Sequence, residues 1–223
     1  MKVLVAAILV AAAPWTASAQ TTDPPLHRLE LAAGIGYLGG ATLGNANADL
    51  RSATSAGPYG LFTTSTELAG ATVIELRAGF DFTRRFGVEA RALFGHPEVR
   101  TDISGDAENA PPITAVERLD HYLIDGGIVV RLDEFRVKGL RPFVTAGAGY
   151  LRQLHEGLTV IETGQVFYVG GGARYMMFMR PRGVPRAGGL RGDVRLNVLT
   201  GGIEIEDRRR RQPSVSGSFF LLF

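Results

Sequence analysis

Residues 75–94, ELRAGFDFTRRFGVEARALF, decide how this chain folds. The first arm sets Glu75, Arg77, Gly79 and Asp81 against Leu76, Ala78, Phe80 and Phe82. In the second, Phe86, Val88, Ala90, Ala92 and Phe94 alternate with Gly87, Glu89, Arg91 and Leu93. A period of two marks β-strands whose two faces meet different surroundings. A soluble sandwich turns the apolar face inward and the charges to water, whereas a barrel in lipid does the reverse.

The whole chain narrows the choice. Its 223 residues suffice for one domain with a sizeable core. Glycine stands out at 29 residues, roughly twice the ordinary ~7% share. A formal charge of +2 gives no mandate for nucleic-acid binding. With no cysteine, neither disulfides nor thiolate metal sites are available. At the N-terminus, Lys2, the apolar run VLVAAILVAAAPW and the small-residue stretch Ala17-Ser18-Ala19 predict a secretory signal over residues 1–19, cleaved before Gln20. Residues 20–27 then read as an extended leader, and residues 28–223 as the folded unit.

Within that unit the alternation recurs in eight segments: 28–38, the two arms above, 119–132, 141–153, 165–178, 189–199 and 213–223. In the fourth, Tyr122, Ile124 and Ile128 oppose His121, Leu123, Asp125 and Arg131. In the sixth, Phe167, Val169 and Tyr175 oppose Tyr168 and Arg174; in the seventh, Leu190, Val194, Leu196 and Val198 oppose Arg191, Asp193, Arg195 and Asn197. Small residues on both sides leave the facing of 141–153 open. Connections alternate between long (39–70, 96–118) and short (83–85, 133–140), as in a barrel with one elaborate rim and one plain one. The stretch 179–188, MRPRGVPRAG, is longer than a plain turn and does not fit the alternation.

Three features favour the inside-out reading. Opposite charges recur two residues apart on the polar face, as Glu75 with Arg77, Glu89 with Arg91 and Asp193 with Arg195, joined by Asp125, Arg131 and Arg174. On a wet surface such pairs contribute about 0–1 kcal/mol, but in a narrow lumen they neutralise one another and fill the bore. Phe80, Phe82, Phe86, Phe219 and Phe223 fringe the apolar face near segment ends, where an interfacial girdle belongs. Finally, the alternation runs on to Phe223, which suits a last strand that must bond to the first.

These segments resemble the small eight-stranded outer-membrane β-barrel family, the OmpA/OmpX-like class. The likeness is carried by ELRAGFDFTRRFGVEARALF, RPFVTAGAGY, GGGARY, LRGDVRLNV and the terminal GSFFLLF. It implies an all-β fold: an eight-stranded antiparallel transmembrane β-barrel with a polar lumen, both ends periplasmic, in the outer membrane. It further implies that Phe219, Leu221 and Phe223 form the signal read by the outer-membrane assembly machinery. The strand glycines Gly126, Gly127, Gly147, Gly149 and Gly170 to Gly172 are then expected to make room in the lumen for Arg and Tyr side chains.

Chemistry is harder to find. His27, His96, His121 and His155 lack metal-ligand spacing. His96 and His155 lie near loops where an outer-membrane lipid-modifying enzyme or protease would need a histidine, but no serine motif accompanies them. Neither a catalytic residue nor a cofactor is expected. Arg208, Arg209, Arg210 and Arg211 at the outer rim are candidates for lipopolysaccharide phosphates, with a solvated loop as the alternative. The expectation is a non-enzymatic envelope protein whose lumen is plugged by charge pairs and whose long loops meet lipids or a surface ligand. The alternatives are a narrow passive channel for small solutes and a soluble exported ligand-binding barrel.

Overall fold

The computed structural model describes residues 29–51, 58–108, 110–135, 137, 139–155, 161–180, 182–203 and 209–223. The expected signal and leader lie outside these residues. Among the described residues eleven strands form one antiparallel sheet: β1 (Leu29–Leu38), β2 (Ala41–Arg51), β3 (Pro58–Leu68), β4 (Ala71–Asp81), β5 (Phe86–Gly95), β6 (Glu98–Ser104), β7 (Ile113–Arg131), β8 (Leu140–His155), β9 (Ile161–Met179), β10 (Ala187–Gly201) and β11 (Arg210–Leu222).

Eight of them close on themselves in the order β1-β4-β5-β7-β8-β9-β10-β11 and back to β1. At the closing seam Glu30 lies opposite Leu222 and Leu38 opposite Ser214, and Phe223 N–H donates to Leu29 O at 2.9 Å. Closure leaves the wall no open edge, the condition for a sheet to stand in lipid, where each unpaired backbone group costs several kcal/mol.

The alternation resolves as the sequence predicts. Leu31, Ile35, Tyr37, Ile74, Leu76, Ile124, Ile128, Val169 and Val194 face outward, with Ile35 67% exposed. The charged face of the opening hairpin is inside. The segment 141–153, ambiguous in sequence, points Phe143, Thr145, Leu151 and Gln153 inward and Val144 and Tyr150 outward.

Two long connections differ from expectation. Both stretches, 39–70 and 96–118, contain strands: β2, β3, β6 and the first third of β7 pair in that order as a sheet above the long-loop rim. In β2 and β3, Thr, Ser, Asn and Gly on both faces blur the alternation, and in β6 it spans only seven residues. The stretch 179–188 also divides differently: β9 runs to Met179 and β10 starts at Ala187, leaving residues 180–186 as the connection. Its ends are clipped, with Arg180 N–H bonded to Arg186 O (2.7 Å) and Arg186 N–H to Leu222 O (2.8 Å).

Candidate functional site

The lumen is built in layers. Its middle holds five arginines, Arg77, Arg91, Arg174, Arg191 and Arg195, and five acids, Glu30, Glu75, Glu89, Asp125 and Asp193, all buried. Period two on six strands aims them inward, and their charges balance.

Glu89 and Asp193 are the hubs. Arg77 Nη1 donates to Glu89 Oε1 and Oε2 (both 3.1 Å) and to Asp193 Oδ1 (3.3 Å), while its Nη2 reaches Glu75 at 2.7 Å. Arg191 bridges Glu89 (2.8 Å), Asp193 (2.8 Å) and Glu30 (3.1 Å). Arg195 bridges Glu89 (2.5 Å), Asp125 (3.2 Å) and Asp193 (3.5 Å). Arg91 joins Asp125 at 2.5 Å, and Arg174 joins Glu30 at 2.8 Å. Two rings complete the packing: Arg191 stacks on Phe143 (4.2 Å) and Arg195 on Tyr168 (4.5 Å), contacts that strengthen when desolvated.

Glycine makes this density sterically feasible. A Cβ at Gly147 would come within 2.8 Å of Tyr168 Oη, and one at Gly170 within 2.7 Å of Arg195 Cγ. The expectation that strand glycines clear space for Arg and Tyr holds at these positions. Gly126 differs, since its outward Cβ would have space.

Of the charged residues picked from the sequence, Glu75, Arg77, Glu89, Arg91, Asp125, Asp193 and Arg195 share one network, and Arg174 joins it through Glu30. Arg131 stands apart at the short-turn rim, paired with Asp81. Glu30 and Arg191 are not among the residues singled out from the sequence, though each occupies an inward position in its strand's alternation.

Sequence reading also missed the layers flanking the network. Toward the long-loop rim an apolar belt takes one residue from each of seven strands: Leu38, Val73, Leu93, Leu123, Leu151, Val166 and Leu199. Leu93, Leu123 and Leu151 are direct cross-strand partners. On the far side of the charges Ala32, Ala187, Phe220 and Leu222 pack together with Met176. The belt breaks the polar lumen pattern by single apolar residues per strand, a signal too small to see one strand at a time.

Beyond the belt lies a second polar layer. Gln153 Nε2 donates to His121 Nδ1 (3.3 Å). On β10 Asn197, set between Arg195 and the belt's Leu199, donates its Nδ2 to Gln212 O (3.0 Å) and Ser214 Oγ (3.2 Å). Arg210 turns inward and bonds the carbonyls of Gly201 and Ile203, whereas Arg209 and Arg211 are exposed and Arg208 lies outside the described residues. Above this layer Leu43, Leu68, Val99 and Leu119 pack beneath the raised sheet.

At the same rim two imidazoles are oriented by carboxylates: His96 Nδ1 donates to Asp120 (2.8 Å) and His155 Nδ1 to Glu117 (2.7 Å). His96 borders an outward-facing cavity of about 360 Å³ with Thr72, Ile74, Phe94 and Tyr122. Such a pair can accept a proton, but acyl transfer also needs a hydroxyl or thiol bonded to the free imidazole nitrogen. Among the described residues neither histidine makes that bond. No group of three His, Asp or Glu among them is placed to hold a metal ion. On the terminal strand Phe219 faces outward and Phe220 inward, with Leu221 and Phe223 half-buried.

No curated protein shows significant sequence similarity to the chain. Among solved structures it is similar to Ail, the attachment invasion locus protein of Yersinia pestis, crystallised with a heparin analogue. Identity is 11% and the TM-score 0.43, over 86% of this chain and 99% of that one. Outer membrane protein AlkL, determined in lipid bilayers, is similar at 15% identity and a TM-score of 0.46, over 94% and 96%. The outer membrane protease OmpT of Escherichia coli is similar at 8% identity and a TM-score of 0.40, over 88% and 97%. The model of the outer membrane protein beta-barrel domain matches residues 3–178, well over half of the sequence. This chain belongs to that family of outer-membrane β-barrels.

Proposed function

We propose that this protein is a non-enzymatic barrel of the outer membrane whose lumen is plugged and whose work is done at the cell surface. The observation that carries this reading is the double closure of the bore. A solute would have to part five arginines from five acids and then pass an apolar belt with no charge to replace its hydration. A passive channel, the alternative, requires both layers to rearrange together. The surface role draws its support from the raised sheet. There β2, β3, β6 and the start of β7 present mainly exposed side chains above the closed wall.

Three partner assignments complete the proposal. Arg209 and Arg211 at the outer end of β11 would meet lipopolysaccharide phosphates. Phe219, Leu221 and Phe223 would be read by the assembly machinery, and a cleaved signal over residues 1–19 would deliver the chain to it.

Conductance of the refolded protein in a planar bilayer tests the plug. The wild type is expected to stay silent and a Glu75→Gln, Glu89→Gln double variant to leak. Stable wild-type openings that change in the variant would overturn the plug and establish the channel.

A further inference from the structure

The two rims carry opposite charge. On the long-loop side, residues 96–120 hold Glu98, Asp102, Asp106, Glu108, Glu117 and Asp120 against Arg100 and Arg118. On the short-turn side stand Arg84 and Arg85 in the β4–β5 turn, Arg141 at the start of β8, and Arg180, Arg182 and Arg186 in the β9–β10 connection. Asp133 and Glu134 are the acids of those turns. The sequence adds Arg136 and Lys138 to the β7–β8 connection. The lumen between the rims is neutral, so the molecule is electrically polarised along its axis.

The β9–β10 connection, too long for a plain turn, concentrates this charge. It places three exposed arginines within seven residues and contains no acid. The backbone clip of Arg180 to Arg186, and of Arg186 to Leu222, holds the arms of the connection together against the barrel end. Arg180 is further fixed over the ring of Phe178, at 5.4 Å. Immediately before the connection, Met177 and Met179 continue the lipid-facing stripe of β9, and at its tip Val184 is 73% exposed. Cations therefore sit where the apolar wall ends, beside an apolar side chain able to enter the interface.

From this geometry we infer that Arg180, Arg182 and Arg186 form a binding site for the phosphate of an anionic glycerophospholipid in the periplasmic leaflet. The inference rests on the outer-membrane reading, which sets this rim at the inner leaflet, and is independent of whether the lumen conducts. Guanidinium forks suit phosphate oxygens, and an anionic membrane surface attracts each nearby basic residue measurably. Lipid is favoured over a soluble or cell-wall polyanion because Met177, Met179 and Val184 anchor the site at the hydrocarbon boundary.

The test is native mass spectrometry of the refolded barrel in detergent, titrated with phosphatidylglycerol and, separately, with phosphatidylcholine of the same chains. The wild type should retain phosphatidylglycerol preferentially, more so at low salt. An Arg180→Gln, Arg182→Gln, Arg186→Gln variant should lose the preference, by roughly five-fold for each arginine removed. An Arg100→Gln, Arg118→Gln variant, altered at the opposite rim, should keep it. Gel mobility that still shifts on boiling shows that each variant is folded. Equal retention of both lipids by the wild type, or a preference surviving in the triple variant, would overturn the inference. Displacement of the lipid by inorganic phosphate would overturn it in favour of a free-anion site. Co-sedimentation with peptidoglycan that only the triple variant loses, without any lipid preference, would overturn it in favour of the cell wall.

Discussion

Strand β7 passes through two regions that obey different rules. Over residues 121–130 it has a partner on each side, β5 and β8, and its side chains alternate, with His121, Leu123 and Asp125 buried and Tyr122, Ile124 and Ile128 exposed. Over residues 113–118 it pairs with β6, and both Ile113 and Val116 are exposed. The same backbone geometry serves both, so the solvent makes the difference. In lipid every backbone polar group needs a protein partner and the faces must divide into apolar and polar. In water an edge can be left to solvent and a strand need not choose an inner face. A rule that governs only one region should make substitutions costly there and tolerated in the other.

The largest break is expected at Arg195. Replacing it with alanine leaves Glu89, Asp125 and Asp193 without one of their shared cations at full burial. Orphaning a buried charge in this way costs about 3–5 kcal/mol. Urea unfolding in micelles, followed by the gel shift on boiling, should report that loss. Adding Glu89→Gln to Arg195→Ala restores balance and should recover part of it; an additive further loss would show that packing, not charge, sets the cost.

Next comes the belt. Leu123→Ala opens a void between Leu93 and Leu151, its cross-strand partners, for about 2–5 kcal/mol. Val116→Ala, seven residues away on the same strand but in the raised sheet, should stay within about 0.5 kcal/mol. Similar losses at the two positions would mean that the raised part of β7 has a core of its own.

This contrast explains what could be read from the sequence. Wherever lipid enforces alternation, as in Glu75–Asp81, Phe86–Phe94 and Leu190–Val198, strand, facing and lumen residues were legible, because two-residue periodicity is a local signal. The strands β2, β3 and β6 are not legible as strands: Thr, Ser, Asn and Gly on both faces of β2 and β3 blur the alternation, β6 is only seven residues long, and their pairing with one another exists only in the folded sheet. The belt was invisible for another reason: Leu38, Val73, Leu93, Leu123, Leu151, Val166 and Leu199 meet only through the register of seven strands. Glu30 and Arg191 likewise become members of the network through partners more than a hundred residues away.

A smaller effect distinguishes glycines that clear space from those that do not. At Gly170 a Cβ would stand 2.5 Å from Val194 O and 2.7 Å from Arg195 Cγ, so Gly170→Ala must move backbone or network, for about 1–3 kcal/mol. At Gly217, which faces outward, a Cβ would meet nothing within 4 Å. Gly217→Ala should be neutral or slightly stabilising, since alanine loses less backbone entropy on folding. Equal destabilisation at the two sites, measured by the same urea unfolding, would show that wall flexibility rather than lumen space demands these glycines.

The smallest effect sharpens the comparison most, because the sequence pattern is held constant. Glu98 and Arg100 stand two residues apart on β6 with their side chains paired at 3.2 Å, and Glu75 and Arg77 stand two apart on β4, paired at 2.7 Å. The first pair is 33% and 48% exposed, the second is fully buried. Glu98→Gln gives up an attraction that water and salt already screen, and should change stability by less than about 0.5 kcal/mol. Glu75→Gln removes a charge from a balanced interior and should cost several times more. A double-mutant cycle with Arg100→Gln should return a coupling near zero in the raised sheet. A coupling there as large as in the lumen would show that the raised sheet excludes water from this pair, and that the boundary between the two regions lies higher than the rim of the closed wall.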